Sequence, residues 1–227
     1  MIRDGIYYCV GAWVAAALVA YFASWGWGVP LLVLGLFALY FFRNPAREIP
    51  AAPDAVVSPA DGRVTHVENL PADSPLGREF AHRISIFLSI FDVHVTRAPA
   101  AGRVVAAEYR RGRFHSALSP AAAAENEQNL VRLAAGAQGE TQLAFAQIAG
   151  LIARRIVFWP RPGEQVARGQ LVGLIKFGSR VEVFLPAEAV IAVTVGQRVR
   201  GGATLLAHLA SADPLPTAAD ADARTHC

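Results

Sequence analysis

The hydrophobic and polar positions divide the chain into two unlike parts. From Gly5 to Phe42, 38 consecutive positions carry no Asp, Glu, Lys, Arg or His. A single helix of that length would measure roughly 57 Å, nearly twice the ~30 Å hydrocarbon thickness of a bilayer. Glycines and a proline interrupt the run over residues 24–30, so we predict a membrane hairpin with arms Ile6–Ala23 and Leu31–Phe42. A cleaved signal peptide is the alternative, although a second apolar run follows the first at once.

After the apolar part, the pattern changes to short alternating or β-branched runs that Gly and Pro bound. It predicts a mainly β region over residues 56–209, with a capped helix start at Ser119 and Pro120. The clearest predicted strands are Ile84–Ile86, Val104–Tyr109, Leu143–Ile148, Leu171–Phe177 and Val181–Leu185. We therefore divide the chain into a membrane hairpin (1–43), a proline-punctuated linker (44–55), a β domain (56–209) and a flexible tail (210–227).

Two short sequence repeats lie inside the β region. Residues 59–64 read PADGRV and recur as PAAGRV at 99–104, while the pattern G-x-x-V-x-x-G occurs at both 163–169 and 196–202. Each unit is typical of a turn followed by a strand, with glycine where the backbone needs positive φ or close approach. Paired units of this kind resemble the barrel-sandwich hybrid of biotinyl and lipoyl domains. We therefore expect a duplicated, mainly β domain.

Composition and charge narrow the function classes only a little. The net charge of +3 and the pI near 9.2 suit an anionic phospholipid surface. Residues 110–113 are the densest basic block, which is too small to indicate a nucleic-acid partner. Cys9 and Cys227 make neither a disulfide framework nor a metal site, so we expect no metal.

Arginines flank the apolar segment on both sides. Arg3 precedes it, and Arg43 and Arg47 follow it. Because basic residues stay on the cytoplasmic side of a membrane, both ends of the hairpin are predicted to be cytoplasmic. This topology places the β domain on the cytoplasmic face of the inner membrane.

Two polar residues of the β region are candidates for chemistry. Asp61 stands where the second copy of the repeat has Ala101, so the turn does not require a carboxylate. An Asx-turn remains the alternative for Asp61. His94 lies in the strand-like segment 91–95, where a packed, hydrogen-bonded core histidine is the alternative.

Ser179 follows Gly178 between two hydrophobic runs, which is a common pattern for a plain hairpin turn. The same step also permits chemistry, because glycine tolerates strain and the serine hydroxyl can attack the preceding carbonyl to form an ester. β-Elimination from that ester leaves dehydroalanine, which hydrolyses to a pyruvoyl group. Such a sequence needs bases and an oxyanion site, and an Asp–His pair could supply the bases.

Taken in order, six motifs resemble the phosphatidylserine decarboxylase family, in particular its short, archaeal-type class. The motifs are spread over nearly the whole chain, and their combination is far more specific than any one of them. They are FFRNP at 41–45, SPADG at 58–62, FDVHVTRAP at 91–99, ENEQN at 125–129, QIAGLIARRI at 147–156 and FGSRV at 177–181.

The resemblance implies self-cleavage between Gly178 and Ser179. Ser179 would become the pyruvoyl cofactor, which forms a Schiff base with the substrate amine and so converts phosphatidylserine to phosphatidylethanolamine and CO2. Asp61 and His94 match the family's Asp–His partners of that serine. The α and β chains would remain together as a heterodimer at the membrane. The main departure is Arg97, which stands where longer members carry a second histidine.

The sequence leaves the phosphate contacts and two rival functions open. Candidate phosphate contacts are Arg154, Arg155 and Arg180, each of which could equally form a structural ion pair. One rival is a membrane-anchored biotinyl/lipoyl-like carrier or adaptor modified at Lys176. The other is a membrane-bound serine hydrolase that uses Ser179 with Lys176 or His94.

Overall fold

A computed structural model describes residues 3–74, 76–119, 121–136, 141–151, 155–175 and 178–210, with the side chains of Arg3 and Asp4 left aside. The chain begins with two apolar helices, α1 (Arg3–Phe22) and α2 (Trp25–Phe41). Within α1, the segment Gly5–Phe22 is long and apolar enough to cross a membrane, and α2 is a slightly shorter apolar helix. The two helices form the predicted hairpin.

Small residues let the two helices approach each other closely. The backbone of Gly28 lies against the carbonyl of Ala16, and Gly35 lies against the indole of Trp13, so a side chain at either glycine would collide. The bend is shorter than predicted. Ser24 caps α2 by accepting a hydrogen bond from the Gly26 N–H, and the second arm therefore begins at Trp25 and contains Pro30. Pro30 is the sixth residue of the helix, so it removes the backbone hydrogen bond to the Gly26 carbonyl and its ring crowds that carbonyl.

The rest of the described chain is mainly β, as predicted, with one short helix, α3 (Ala122–Glu125), near the predicted helix start. The first strands are β1 (Ala55–Val57), β2 (Gly62–Asn69), β3 (His82–Leu88), β4 (Val95–Arg97), β5 (Gly102–Arg110), β6 (Gln128–Ala135) and β7 (Thr141–Ile148). They are followed by β8 (Ile156–Phe158), β9 (Gln165–Val166), β10 (Leu171–Ile175), β11 (Ser179–Leu185), β12 (Val190–Ile191), β13 (Arg198–Val199) and β14 (Leu205–His208).

Within the described residues, the strands form one large antiparallel sheet and two small ones. The large sheet has the order β13-β2-β3-β11-β7-β6-β5-β9, and the small sheets have the orders β1-β14-β12 and β4-β10-β8. The large sheet curls around a core of Val, Ile, Leu and Ala side chains. This core includes inward-facing residues of β11, among them Val181 and Val183.

The strand pairing has a twofold pattern that matches the sequence repeats. Gly62 pairs with Val199 in one half of the large sheet, and Gly102 pairs with Val166 in the other. Each small sheet repeats the same arrangement, with β1, β14 and β12 in one and β4, β10 and β8 in the other. The assignment of these halves to a duplicated biotinyl/lipoyl-like fold stays a prediction.

The halves are not consecutive in the chain. Strands β4 to β10 make up one half and lie between β3 and β11 of the other half. The chain therefore crosses between halves twice, before His94 and again between Ile175 and Ser179. Because β10 and β11 belong to different sheets, Gly178 and Ser179 lie on a crossover and the plain hairpin-turn interpretation is wrong.

The predicted linker is bound to the β domain along its length. We call residues 43–54 the strap. Arg97 donates to the Asn44 side chain at 2.5 Å, and Arg47 forms a 2.7 Å ion pair with Asp61. Near the other end, Asp54 accepts a 2.7 Å hydrogen bond from His208. Because this proline-containing segment has no regular backbone hydrogen bonds, side-chain bonds determine its path.

Candidate active site

Ser179 is the first residue of β11 and is fully buried opposite Leu88 of β3. Among the described residues, its Oγ atom has no hydrogen-bond partner. Leaving a buried hydroxyl unpaired costs ~1–3 kcal/mol, and such an atom in a native structure calls for an explanation. A hydroxyl that is kept free for attack on a neighbouring carbonyl provides one.

Gly178 presents the neighbouring carbonyl in an unusual conformation. Its φ of +60° lies in the left-handed region, which glycine adopts without the steric penalty of a side chain. The carbonyl oxygen of Gly178 lies against the backbone of Gly150, where an added Cβ would be only 2.2 Å from it. Both glycines are therefore needed for the backbone to take this path.

His94 contacts Gly178 from the other side. Its Nε2 accepts a 3.1 Å hydrogen bond from the Gly178 N–H, while its Nδ1 lies 2.9 Å from the Asp92 carbonyl oxygen. Because a carbonyl can only accept, Nδ1 carries the proton and Nε2 carries the lone pair. Burial disfavours the charged ring and lowers the pKa of His94 from 6.5 to about 4, against the smaller opposing influence of Asp92. The imidazole is therefore neutral at pH 7.

The end of the helical hairpin covers His94. The ring of Phe41 lies 4.1 Å from the imidazole, centroid to centroid. Phe41 and Phe42 also form a small apolar cluster with Leu174 of β10. The apolar helical hairpin and the candidate active site are thus in direct contact, which the sequence patterns did not indicate.

Asp92 is the acidic residue beside His94, and the sequence analysis did not single it out. Its carboxylate accepts hydrogen bonds from the backbone N–H and the hydroxyl of Ser89, at 2.8 and 2.7 Å. These bonds hold the loop between β3 and β4 in the shape that points the Asp92 carbonyl at Nδ1 of His94. In the sequence, Asp92 could have been identified by its position two residues before His94 in the segment 91–95.

Asp61 occupies a different place from the one predicted. One carboxylate oxygen pairs with Arg47, and the other accepts a 2.7 Å hydrogen bond from the Gly201 N–H. Asp61 and His94 are not hydrogen-bonded to each other in the described structure, because both ring nitrogens of His94 bond elsewhere; their role as partners of Ser179 stays a prediction. The Asp61 carboxylate therefore fixes its own turn and the strap.

Of the three arginine candidates, the structure describes Arg155 and Arg180. Arg180 is the next residue of β11 and so points to the opposite face of the sheet. There it donates to Ser85 at 2.9 Å and pairs with Glu182 at 2.8 Å, both buried, so these bonds favour the structural ion pair, and phosphate binding by Arg180 stays a prediction. Arg155 is exposed, while Arg154 lies outside the described residues, as does Lys176.

Arg97 stands where longer family members carry a second histidine, and its guanidinium forms structural hydrogen bonds. It donates to the carbonyls of Gly169 and Pro45 at 2.8 and 3.1 Å, in addition to the Asn44 side chain. These bonds join β4 to the strap. Arg97 therefore holds the strap at the point where it leaves α2. The last residue of α2, Phe41, packs against His94.

Buried amide side chains hold the walls of the site. Asn126 donates to the carbonyls of His115 and Ala149, and it accepts from the His115 N–H. This bonding joins the loop before α3 to the end of β7, beside Gly150. Gln147 similarly donates to Thr96 of β4 at 3.0 Å. The predicted ENEQN motif therefore contributes a buried clamp through Asn126.

Comparison with known proteins adds independent findings. Residues 34–207 match the family model described as phosphatidylserine decarboxylase. A phosphatidylserine decarboxylase proenzyme of Solibacter usitatus is 48% identical over 91% of this chain and 96% of its own length. Proenzymes of the same name from Neisseria gonorrhoeae and Nitrosomonas europaea are each 42% identical, over 97% and 90% of this chain and 85% and 93% of their own lengths.

Proposed function

This chain belongs to the phosphatidylserine decarboxylase family, and we propose that it makes its pyruvoyl group from Ser179 by cutting the peptide bond after Gly178. It is an enzyme that converts phosphatidylserine to phosphatidylethanolamine and CO2. The main support for the proposal is the buried hydroxyl of Ser179, which has no partner among the described residues and follows Gly178 in the left-handed backbone conformation. The residues therefore fit the cofactor that the family implies.

Cleavage begins when the Ser179 hydroxyl loses its proton and attacks the Gly178 carbonyl carbon. The C–N bond of the peptide breaks as the C–O bond of an ester forms, and the amine of Ser179 takes up a proton. Removal of the Ser179 α-proton then expels the Gly178 carboxylate from Cβ and leaves dehydroalanine. Water replaces the nitrogen, which departs as ammonia, and the pyruvoyl group remains at the new N-terminus.

His94 is the base for this sequence. Its Nε2 lone pair already faces the Gly178 peptide, and its neutral state at pH 7 leaves that lone pair able to take a proton. The Asp92 carbonyl keeps the proton of the neutral ring on Nδ1, so the correct nitrogen faces the reaction. Asp61 acts at a distance as a positioning residue, through Arg47 and the strap.

In decarboxylation, the mature group supplies a carbonyl that accepts the electron pair left when CO2 departs. Once the Ser179 hydroxyl is consumed, His94 is, among the described residues, a titratable side chain that contacts this crossover. Its Nε2, which takes up a proton from the ammonium group of the substrate, would deliver that proton to the carbon that lost CO2. Phe41 and the surrounding apolar side chains exclude water, which would otherwise compete for that position. Arg154 and Arg155 remain the candidates for phosphate contact.

The two chains remain together after cleavage. Strand β11 would begin the α chain, yet it is paired with β3 on one side and β7 on the other, both from the β chain. Strands β13 and β14 add pairings to β2 and β1. Separating the chains would break all of these ladders, so the product is a tight heterodimer. The hairpin anchors it at the cytoplasmic face of the inner membrane, where its phospholipid substrate lies.

An intact-mass measurement tests the proposal. The purified wild-type protein should contain two chains, Met1–Gly178 and a pyruvoyl-blocked chain from position 179. Ser179→Ala should remain one full-length chain without activity, whereas Ser74→Ala, which changes an ordinary loop serine, should mature normally. An adduct on Lys176 would indicate the carrier function instead. One unmodified chain would indicate a hydrolase, and either result would overturn the proposal.

A further inference from the structure

Exposed apolar side chains surround the Gly178 crossover. Ile90, Phe91, Leu118 and Leu151 are 38, 62, 56 and 65% exposed. They lie on three separate loops, which follow β3, precede α3 and follow β7. Single exposed apolar residues are ordinary on a protein surface, but a convergent group marks an interaction site. We call these four residues the apolar rim.

Backbone contacts place the loops of the rim around one point. Ile90 is the side chain nearest to the space that a Gly178 Cβ would occupy, at 4.0 Å. Leu151 directly follows Gly150, whose backbone touches the Gly178 carbonyl oxygen. Leu118 directly follows Ala117, whose Cβ lies 3.4 Å from the Cβ position of Gly150. The buried Asn126 clamp holds the last two loops together.

The rim is continuous with the end of the membrane hairpin. The Tyr40 hydroxyl and the Arg43 guanidinium both donate to the Phe91 carbonyl, at 3.2 and 2.8 Å. Arg43 also lies 3.8 Å over the Tyr40 ring. Tyrosine and arginine at the end of an apolar helix are typical of the membrane interface. Phe91 is therefore held at the level where α2 leaves the bilayer.

We propose that the apolar rim is a second membrane contact, which inserts into the interfacial layer of the phospholipid bilayer. The inference rests on the proposed membrane placement of the hairpin and adds a contact made by the β domain itself. The hydrophobic effect favours moving the four side chains out of water and into the acyl boundary. The Ser179 crossover then faces the lipid headgroups, and the substrate reacts with its acyl chains still in the bilayer.

Fluorescence quenching by lipids tests this geometry directly. Single cysteines are introduced at Val33, Leu151 and Val190 of the full chain in which Cys9 and Cys227 are replaced by Ala, and each is labelled with an environment-sensitive dye. The proteins are reconstituted into phosphatidylcholine and phosphatidylglycerol vesicles that contain a lipid with a nitroxide on its acyl chain. Val190 is the control, because it is equally exposed but lies in β12 of the opposite small sheet. Self-cleavage on a gel confirms that each variant folds.

The dyes at Val33 and Leu151 should be quenched, and the dye at Val190 should not. Quenching at Val33 together with a Leu151 signal equal to that of Val190 would overturn the rim proposal alone. No quenching at Val33 would overturn the membrane placement itself. A Leu151 dye that is shielded only at high protein concentration would indicate a second copy as the occupant. Equal quenching at Leu151 and Val190 would also contradict a specific rim.

Activity provides the second readout. The double variant Leu118→Ser, Leu151→Ser should lose roughly tenfold in decarboxylation of phosphatidylserine in vesicles, since two apolar anchors are removed. Its loss with detergent-dispersed phosphatidylserine should be several-fold smaller. Val190→Ser should behave as wild type with both substrates. Equal losses in vesicles and detergent would mean that these leucines serve only the packing of the site.

Discussion

The two small sheets have nearly the same backbone frame, but only one carries the candidate chemistry. In the sheet β4-β10-β8, the carbonyl of His94 accepts a hydrogen bond from the Ile175 N–H. In the sheet β1-β14-β12, the carbonyl of Asp54 accepts the matching bond from the Leu209 N–H. His94 and Asp54 thus hold equivalent positions, each directly before the first strand of its sheet.

The difference lies in where the chain goes next. After Ile175 it crosses to the other half and enters β11 at Ser179, whereas after Leu209 it enters the terminal segment. Within the part of the chain that the structure describes, only the first path brings a second backbone segment, Gly178, against the side chain of the equivalent residue. The strands of both small sheets therefore provide the same backbone position. The crossover between the two halves makes the difference, because it brings Gly178 to His94. The predictions below test this difference, beginning with the largest expected effect.

Replacing the two equivalent residues should give opposite results. His94→Ala should slow self-cleavage and the turnover of any mature enzyme, each by ~10²–10⁴-fold, the usual contribution of a general acid–base group. Asp54→Ala should change both by less than about twofold, because its carboxylate bonds only to His208 in the described structure. Gel densitometry during maturation and CO2 release measure the two effects. Comparable losses in both variants would mean that the frame, and not the crossover, determines the chemistry.

The Phe41 cover should control the protonation of His94. In the Ser179→Ala precursor, NMR titration should give His94 a pKa of about 4, and Phe41→Ala should raise it toward 6.5 by admitting water. Because the folded pKa lies below the unfolded value, this histidine contributes stability above pH 6.5 that is lost as the pH falls through about 4. Phe22→Ala, at the exposed end of α1, should leave the titration unchanged.

The contact between Phe41 and His94 also affects what we expect of a chain that lacks the helical hairpin. Because the β domain begins after the strap, a protein without Met1–Phe42 should still cleave itself. The structure adds that such a protein exposes His94, so its cleavage should be lost at a higher pH than in the full chain. An unchanged pH profile after truncation would show that the hairpin does not protect the site.

Arg97→His tests whether the second histidine of longer members can be restored. The substitution removes guanidinium donors that bond to Gly169, Asn44 and Pro45, so we expect the strap to loosen. The midpoint of urea unfolding should fall, corresponding to a loss of ~1–3 kcal/mol for charged hydrogen bonds. Maturation should slow. Faster maturation with unchanged decarboxylation would instead assign the missing histidine to self-cleavage.

Asp61→Asn should have the smallest effect. Asparagine keeps an oxygen for the Gly201 N–H and loses only the charge that pairs with Arg47, so maturation should slow by less than about tenfold. Ala101→Asn, at the matching turn, should be silent. Arg47→Gln should reproduce the Asp61→Asn defect, and the double variant should be no worse than either. Complete block by Asp61→Asn alone would restore Asp61 as the direct base partner of His94.

The sequence by itself determined the features that local patterns encode. An uncharged run of 38 residues broken by glycine and proline favours two helical arms, and alternating β-branched runs favour strands. The repeated glycine turns marked the equivalent pairings at Gly62 and Gly102. The Gly178–Ser179 step became a candidate cleavage site only when the six motifs were taken in order, because the step alone also fits a plain hairpin turn.

Only the tertiary structure decided which partners these residues meet. Asp61 and Arg180 were reasonable candidates by residue type, but a carboxylate bonds to whichever donor the fold brings near, and strand alternation turned Arg180 away from Ser179. The binding of the strap and the cover of Phe41 over His94 likewise join segments that lie far apart in the chain, up to 154 residues for Asp54 and His208. Contacts of this kind depend on how the two halves pack and cross, which no local pattern specifies.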